Sequence, residues 1–469
     1  MTTPLSSKLR IVLAATLLST GVTALRADSR DDELQALRAQ IGQLDQKLKV
    51  LERKQEIKDE DAAAAAKVTP KIALTDKGFT LTSADGANSV KIRGLVQLDS
   101  RLFFNDNGLT NNSFVLRRAR LISEGTFAKN FSFQVVPEFA GGSGGTASAV
   151  SILDANLGVT INKALQFKFG KFKSPVGLEL LQSDSWTFFN ERSLVTNLVP
   201  NRDVGIQVSG DVLNSTINYA VGVFGGVADG ATSGNSDFDS EKDVVARVFA
   251  SPFKNSPGSF VQGLSFGIAG SLGREKTTAG RTSAYRTDGQ QTFFSYGNAI
   301  ADGQNWRISP QFDYRNGSFG AIGEYVVSTV NVRPTATGAK TELQNKAWQV
   351  SAGYVLTGED SSYAGVVPKT NFDYSAGTWG AFEVAARFAK LTIDNKAFPV
   401  FANPSTNADD AASIGLGLNW YLSKTVRFTF DLYRTKFGFN SAAASNPPAA
   451  PSVLHQDEKA FITRFQLSF

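Results

Sequence analysis

From about Val90 to the C-terminus, apolar and polar residues alternate with a period of two, in segments broken by clusters of Gly, Asn, Asp, Ser and Pro. A strand turns successive side chains to opposite faces, so this pattern predicts strands with one greasy and one polar face. Val90, Ile92, Val96, Leu98, Leu102 and Phe104 share one parity, and Lys91, Arg93, Gln97, Asp99 and Arg101 share the other. In the same way Trp306, Ile308, Phe312 and Tyr314 stand opposite Arg307, Gln311, Asp313 and Arg315. Val426, Phe428, Phe430 and Leu432 oppose Arg427, Thr429 and Asp431, and Phe461, Phe465, Leu467 and Phe469 oppose Arg464, Gln466 and Ser468. Strands of soluble domains average ~5 to 6 residues, whereas many segments here reach the ~9 to 11 of a tilted membrane strand.

Sixteen such segments start near residues 90, 114, 131, 150, 165, 203, 215, 241, 260, 305, 318, 345, 379, 411, 425 and 459. Bacterial single-chain barrels have even strand numbers, and sixteen strands leave an aqueous channel. The expected fold is therefore all-β: a 16-stranded antiparallel transmembrane β-barrel over residues 90–469, with outer-membrane lipid against its greasy face. Residues 128–130, 316–317 and 423–424 read as periplasmic turns, and residues 273–304, 358–378 and 440–458 as extracellular loops.

Ahead of the barrel, Leu34, Leu37, Ile41, Leu44, Leu48 and Leu51 are spaced 3, 4, 3, 4, 3. That spacing predicts a short N-terminal α-helical coiled coil over 28–67, with 68–89 as a linker leading into the barrel. So short a helix is marginal alone, which points to self-association; the alternative is packing on a domain surface. Residues 1–27 carry Lys8 and Arg10, an apolar stretch over 11–18 and small residues at Ala24 and Ala27, the pattern of a cleaved signal peptide. The expected location is the bacterial outer membrane, with the coiled coil in the periplasm.

Composition narrows the chemistry. Cys 0 and His 1 remove thiolate chemistry, disulfides and the usual general base, so neither an enzyme nor a metal or other cofactor is expected. The single His455 lies in a Pro/Ala-rich segment, which leaves an outer-membrane hydrolase without a placed base. Without residues 1–27, the 48 basic and 43 acidic residues become 45 and 43, since Lys8, Arg10 and Arg26 are lost and no acid. So balanced a chain gives no reason to expect a nucleic-acid partner.

Functional charge must then be local. The polar parity directs Arg93, Arg101, Arg118, Arg120, Lys168 and Arg247 to the lumen, together with Arg307, Arg315, Arg387, Arg427 and Arg464. Against them stand Asp99, Glu124, Asp313, Glu324, Glu383 and Asp431, a balance that favours anions. Residues 171–203 form a link too long and apolar for an exposed loop. It either folds into the barrel, bringing Lys171, Lys173, Arg192 and Arg202 to the permeation path, or latches onto a neighbouring subunit.

Several strings resemble the phosphate-selective porin O and P family: VLRRARLISEGTF (115–127), FKFGKFKSPVGLE (167–179), NERS (190–193), GYVLTGE (353–359), WGAFEVAARF (379–388) and LGLNWYLSKTVRFTFDLY (416–433). The resemblance implies a homotrimer of sixteen-stranded barrels that guides anions along arginines to a central lysine cluster. It places Arg117, Arg118 and Arg192 in that ladder and Asp154 near the constriction. Arg117 has the opposite parity from Arg118 and Arg120, which calls for a bulge or a subunit contact. The lysine positions of the resemblance hold Leu180, Asn331 and Gln344, so phosphate is expected to bind more weakly than in phosphate-selective members. The expected function is passive diffusion of small anions, phosphate or polyphosphate among them. The alternative is a structural protein whose barrel anchors the coiled coil, through which it contacts periplasmic or cell-wall partners.

Overall fold

The computed structural model describes residues 27–104, 110–140, 150–235, 237, 239–277, 283–297, 299–439 and 457–469. The chain divides into two units, Met1–Thr69 and Pro70–Phe469. The described part of the first is one helix, α1 (Ala27–Val68), which continues through Ala62–Ala66, where the alanine run suggests an end. Its leucine and isoleucine seam is 50% to 64% exposed, an apolar stripe that this unit leaves uncovered. Apart from Ala27, the segment read as a signal peptide lies outside the described residues.

The second unit opens with a hairpin, β1 (Lys71–Thr75) and β2 (Gly78–Thr82). The wall then runs through β3 (Ser89–Phe103), β4 (Ser113–Phe127), β5 (Phe131–Glu138), β6 (Ser151–Asn162), β7 (Leu165–Lys173), β8 (Arg202–Val212), β9 (Ile217–Phe224), β10 (Asp243–Ala250) and β11 (Leu264–Lys276). A small hairpin, β12 (Ala284–Arg286) and β13 (Thr292–Ser295), stands apart from the wall. The wall resumes as β14 (Ile300–Asn316), β15 (Phe319–Arg333), β16 (Thr341–Val355), β17 (Ala381–Thr392), β18 (Asp410–Tyr421), β19 (Val426–Gly438) and β20 (Glu458–Ser468). All sixteen wall strands pair antiparallel with their sequence neighbours, and β20 returns to β3 with Arg464 opposite Asp99, closing the barrel. Every wall strand starts within five residues of the position read from the alternation.

The closing seam is tight. Gly94 and Phe469 exchange backbone hydrogen bonds of 2.9 and 3.1 Å, and a Cβ on Gly94 would meet the Phe469 ring at 2.5 Å. Where β20 stops, β2 takes its place beside β3, pairing Phe79 with Ile92 and Thr82 with Ser89. The segment read as a linker over 68–89 thus contains a hairpin that prolongs the wall. Its turn is held by Asp76, 2.8 Å from Lys424.

Two loop expectations need correction. The β16–β17 link, read as extracellular over 358–378, lies at the same end as the short turns, because its Ser361 donates its backbone N–H to Gly317 and its Phe372 to Leu422. Strand order alone dictates this: a link from an even to an odd barrel strand returns on the turn side. The link read over 273–304 is shorter than expected, since β11 and β14 both extend into it and β12–β13 occupies its middle. Residues 440–456 of the third expected loop lie outside the described residues.

Hydrophobicity is inverted relative to a soluble domain. Leu98 and Leu416 on the outer face are 48% and 57% exposed, whereas the inward Gln97, Arg387 and Arg464 are fully buried. An apolar core nonetheless exists inside the barrel. The β7–β8 link crosses the interior as a short helix α2 (Leu178–Leu181) and a 3-10 turn (Leu194–Leu198). Leu194, Val195 and Leu198 pack there with Tyr285, Phe293 and Phe294 of the β12–β13 hairpin and with Val326, Leu343 and Leu391 of the wall. The β16–β17 link supports them from the turn end: Tyr363 Oη donates to the Leu178 carbonyl at 2.6 Å, and Gln182 donates to the Tyr363 carbonyl at 2.9 Å. Gly365, at φ +93°, lies under Trp186, where a Cβ would come within 2.2 Å of the indole.

Candidate permeation site

The interior loop fixes what space is left. It packs over the β14–β20 wall, and among the described residues two cavities lie against the β3–β10 wall. One, of about 440 Å³, lies towards the turn end and is lined by Arg93, Gln134, Asp154, Lys168, Lys173 and Arg247 among others. The second, of about 510 Å³, lies towards the long-loop end beside Arg117, Arg118, Glu138, Glu191, Arg192 and Arg286. Arg120, Asp184 and Arg202 line both, so they form the neck between the cavities. Together the two linings hold ten basic side chains and five carboxylates.

Each neck residue is held by a local device. Arg120 projects from β4, where its Nε donates to Glu138 at 2.5 Å and its Nη1 to Asp184. Arg202 begins β8 and sits 3.3 Å from Asp154 on β6. Arg192, on the loop, donates to Asp184 at 2.5 Å and to the Glu179 and Gln182 carbonyls. Lys173 ends β7 and donates to the Leu180 and Gln182 carbonyls at 2.7 and 2.9 Å, which turns the chain into the lumen. Arg117 is the extra residue of a β-bulge: Gln97 faces Arg118 and Leu98 faces Leu116, so Arg117 also turns inward. There it grips Glu191 with two bonds of 2.7 and 3.0 Å.

The remaining candidates point inward but away from both cavities. Arg101 is buried beside Asp99 and Glu191, 3.1 and 3.6 Å away. Arg307 pairs with Asp229 at 2.7 Å, and Arg315 with Asp313 at 2.9 Å. Arg387 binds Asp288 and the Glu191 carbonyl, and Arg427 binds the Thr187 carbonyl at 3.0 Å. Arg101, Arg387 and Arg427 thus fasten the loop and the β12–β13 hairpin to the wall, whereas Arg307 holds the β9–β10 link and Arg315 pairs within β14. Lys171 reaches towards Asn235, 3.5 Å away, outside either cavity.

Two carboxylates organise the cluster, and strand alternation could not single them out because both lie on the loop. Burial alone would raise Asp184, yet Arg118, Arg192 and Arg120 hold it well below the usual carboxylate range. Glu191 is likewise raised by burial and lowered further by Arg117, Arg464 and Arg118. Its only sequence trace is the NERS string. At the three expected lysine positions, Leu180 lies in the apolar core, Asn331 donates to the Gln304 carbonyl, and Gln344 accepts no lysine role but donates its backbone N–H to Asp394.

Comparison with known proteins agrees with this architecture. Porin O of Pseudomonas aeruginosa is 24% identical over 386 residues, covering 77% of this chain and 86% of that protein. OmpT of Vibrio cholerae in its trimer form superposes with a TM-score of 0.51 at 14% identity, covering 82% of this chain and 100% of that one. The outer-membrane channel DcaP of Acinetobacter baumannii gives 0.51 at 12% identity, covering 82% and 98%. The phosphate-selective porin O and P family matches residues 90–469, the whole closed barrel. A sixteen-stranded wall constricted from within is thus the outer-membrane channel of a family to which this chain belongs, the phosphate-selective porins O and P.

Proposed function

We propose that the barrel passes small inorganic anions by diffusion, without a covalent step, through the neck between Arg120 and Arg202. The carrying observation is the twofold excess of basic side chains lining the two cavities. Arg247 and Lys168 add to it with no ion pair among the described residues: Arg247 contacts Gln311 and Asn218, each 3.3 Å away, and Lys168 lies 5.3 Å from the Phe172 ring. Phosphate and polyphosphate belong among the permeants, but a leucine at position 180 removes an ammonium that would otherwise meet them. The turn end faces the periplasm in this reading, and α1 is assigned to the same compartment. Its exposed seam supports a second element of the proposal, a coiled coil that joins the subunits of a homotrimer. The anchoring alternative shares this helix but predicts little conductance.

Single-channel recording in a planar bilayer under a chloride gradient, with phosphate then titrated in, tests the reading. A reversal potential favouring chloride is expected, with inhibition by phosphate weaker than micromolar. Cation preference, or no conductance, would defeat it and leave the anchoring role.

A further inference from the structure

At the neck, one carboxylate is surrounded by cations. Arg120 and Arg192 donate to Asp184, the Arg118 Nη2 lies 3.4 Å from it, and Lys173 is close enough to lower its proton affinity. Guanidiniums converging from a wall strand and a loop form the arrangement that proteins use to hold an oxyanion. Asp184 borders both cavities, so its carboxylate stands on the route between them.

We propose that Asp184 is a tethered surrogate anion: it occupies the guanidinium cradle that would otherwise bind a permeating oxyanion, and so sets this channel's selectivity towards general anions. The inference rests on the anion-channel reading. A resident carboxylate occupies the cradle at an effective concentration far above that of any free anion, since its tether removes the entropic cost of association. A permeant therefore meets a neck whose strongest donors are engaged, and passes without being retained. Leu180, which borders the long-loop cavity, supplies no further cation to help a permeating oxyanion displace the surrogate.

Asp184→Asn keeps the side-chain volume and an acceptor for one guanidinium, and leaves the cradle with uncompensated charge. Buried guanidiniums without a counter-ion are costly, so the variant should recruit an anion. In bilayer recordings of the full-length protein, inorganic phosphate is expected to inhibit chloride current in Asp184→Asn at a concentration about tenfold or more below that needed for the parent, the equivalent of one charge-assisted hydrogen bond. The gain should vanish in Asp184→Asn with Arg192→Gln, because it depends on the cradle. Asp184→Ser serves the same purpose if the asparagine barrel does not assemble, as judged by heat-modifiable electrophoretic mobility. Inhibition within twofold of the parent, or a gain that persists without Arg192, would overturn the proposal. A parent channel that prefers cations would instead overturn the anion-channel reading on which it rests.

Discussion

The two halves of the barrel carry inward arginines in the same alternation, yet use them differently. On β14, β17, β19 and β20, Arg307, Arg387, Arg427 and Arg464 line neither cavity and fasten interior segments to the wall. On β3, β4, β7, β8 and β10, Arg93, Arg120, Lys168, Arg202 and Arg247 face open cavities. The difference arises from where the β7–β8 link, the β9–β10 link and the β12–β13 hairpin lie down, and not from the strands. An inward arginine borders open space only where no interior segment covers it.

The largest effect should come from detaching the link. Glu191→Gln weakens contacts with Arg117, Arg464 and Arg101 at once; removing one partner of a buried ion pair costs about 3–5 kcal/mol. The urea midpoint of the detergent-solubilised barrel should fall accordingly, and conductance should rise as the covered wall opens. An unchanged conductance would show that the link does not restrict the pore.

The next test separates the two walls. Arg202→Gln should move the reversal potential towards zero, while Arg427→Gln should leave it in place and cost about 1–3 kcal/mol of stability, the value of a buried carbonyl losing its donor. Equal shifts in selectivity would erase the distinction. A smaller effect is expected from α1: Leu44→Asp with Leu48→Asp should weaken oligomer cross-linking and leave unit conductance unchanged, because the seam belongs to the other unit.

Acid provides the mildest probe. Asp184 and Glu191 both sit well below the ordinary carboxylate range, so the stability they contribute is present above that range and disappears only as pH falls through their depressed values. Conductance should therefore hold steady from pH 7 to about pH 4. A rise near pH 6 would mean that the loop is held by other groups.

The barrel was legible because a lipid-facing wall enforces period two on every strand, so even the weakly patterned segments near residues 131, 165 and 241 could be placed. Arg117 could be flagged by its parity but not resolved, since a bulge is set by the register of two strands together. The β1–β2 hairpin escaped notice because its strands are five residues each. Asp184 and Glu191 escaped because an irregular loop has no period. Which arginines stay open depends on contacts such as Arg387 with Asp288, 99 positions away in sequence, and no local pattern encodes these.

Arg464 has a consequence for assembly. It sits on the last strand and binds Asp99 of the first at 2.6 Å and Glu191 of the interior link at 2.8 Å. Sealing the cylinder and seating its obstruction thus share one guanidinium. A cylinder zipped shut around an empty interior would leave Glu191 outside the seam and Arg464 short of a partner. The seam and the plug are therefore one joint, and loosening either loosens the other.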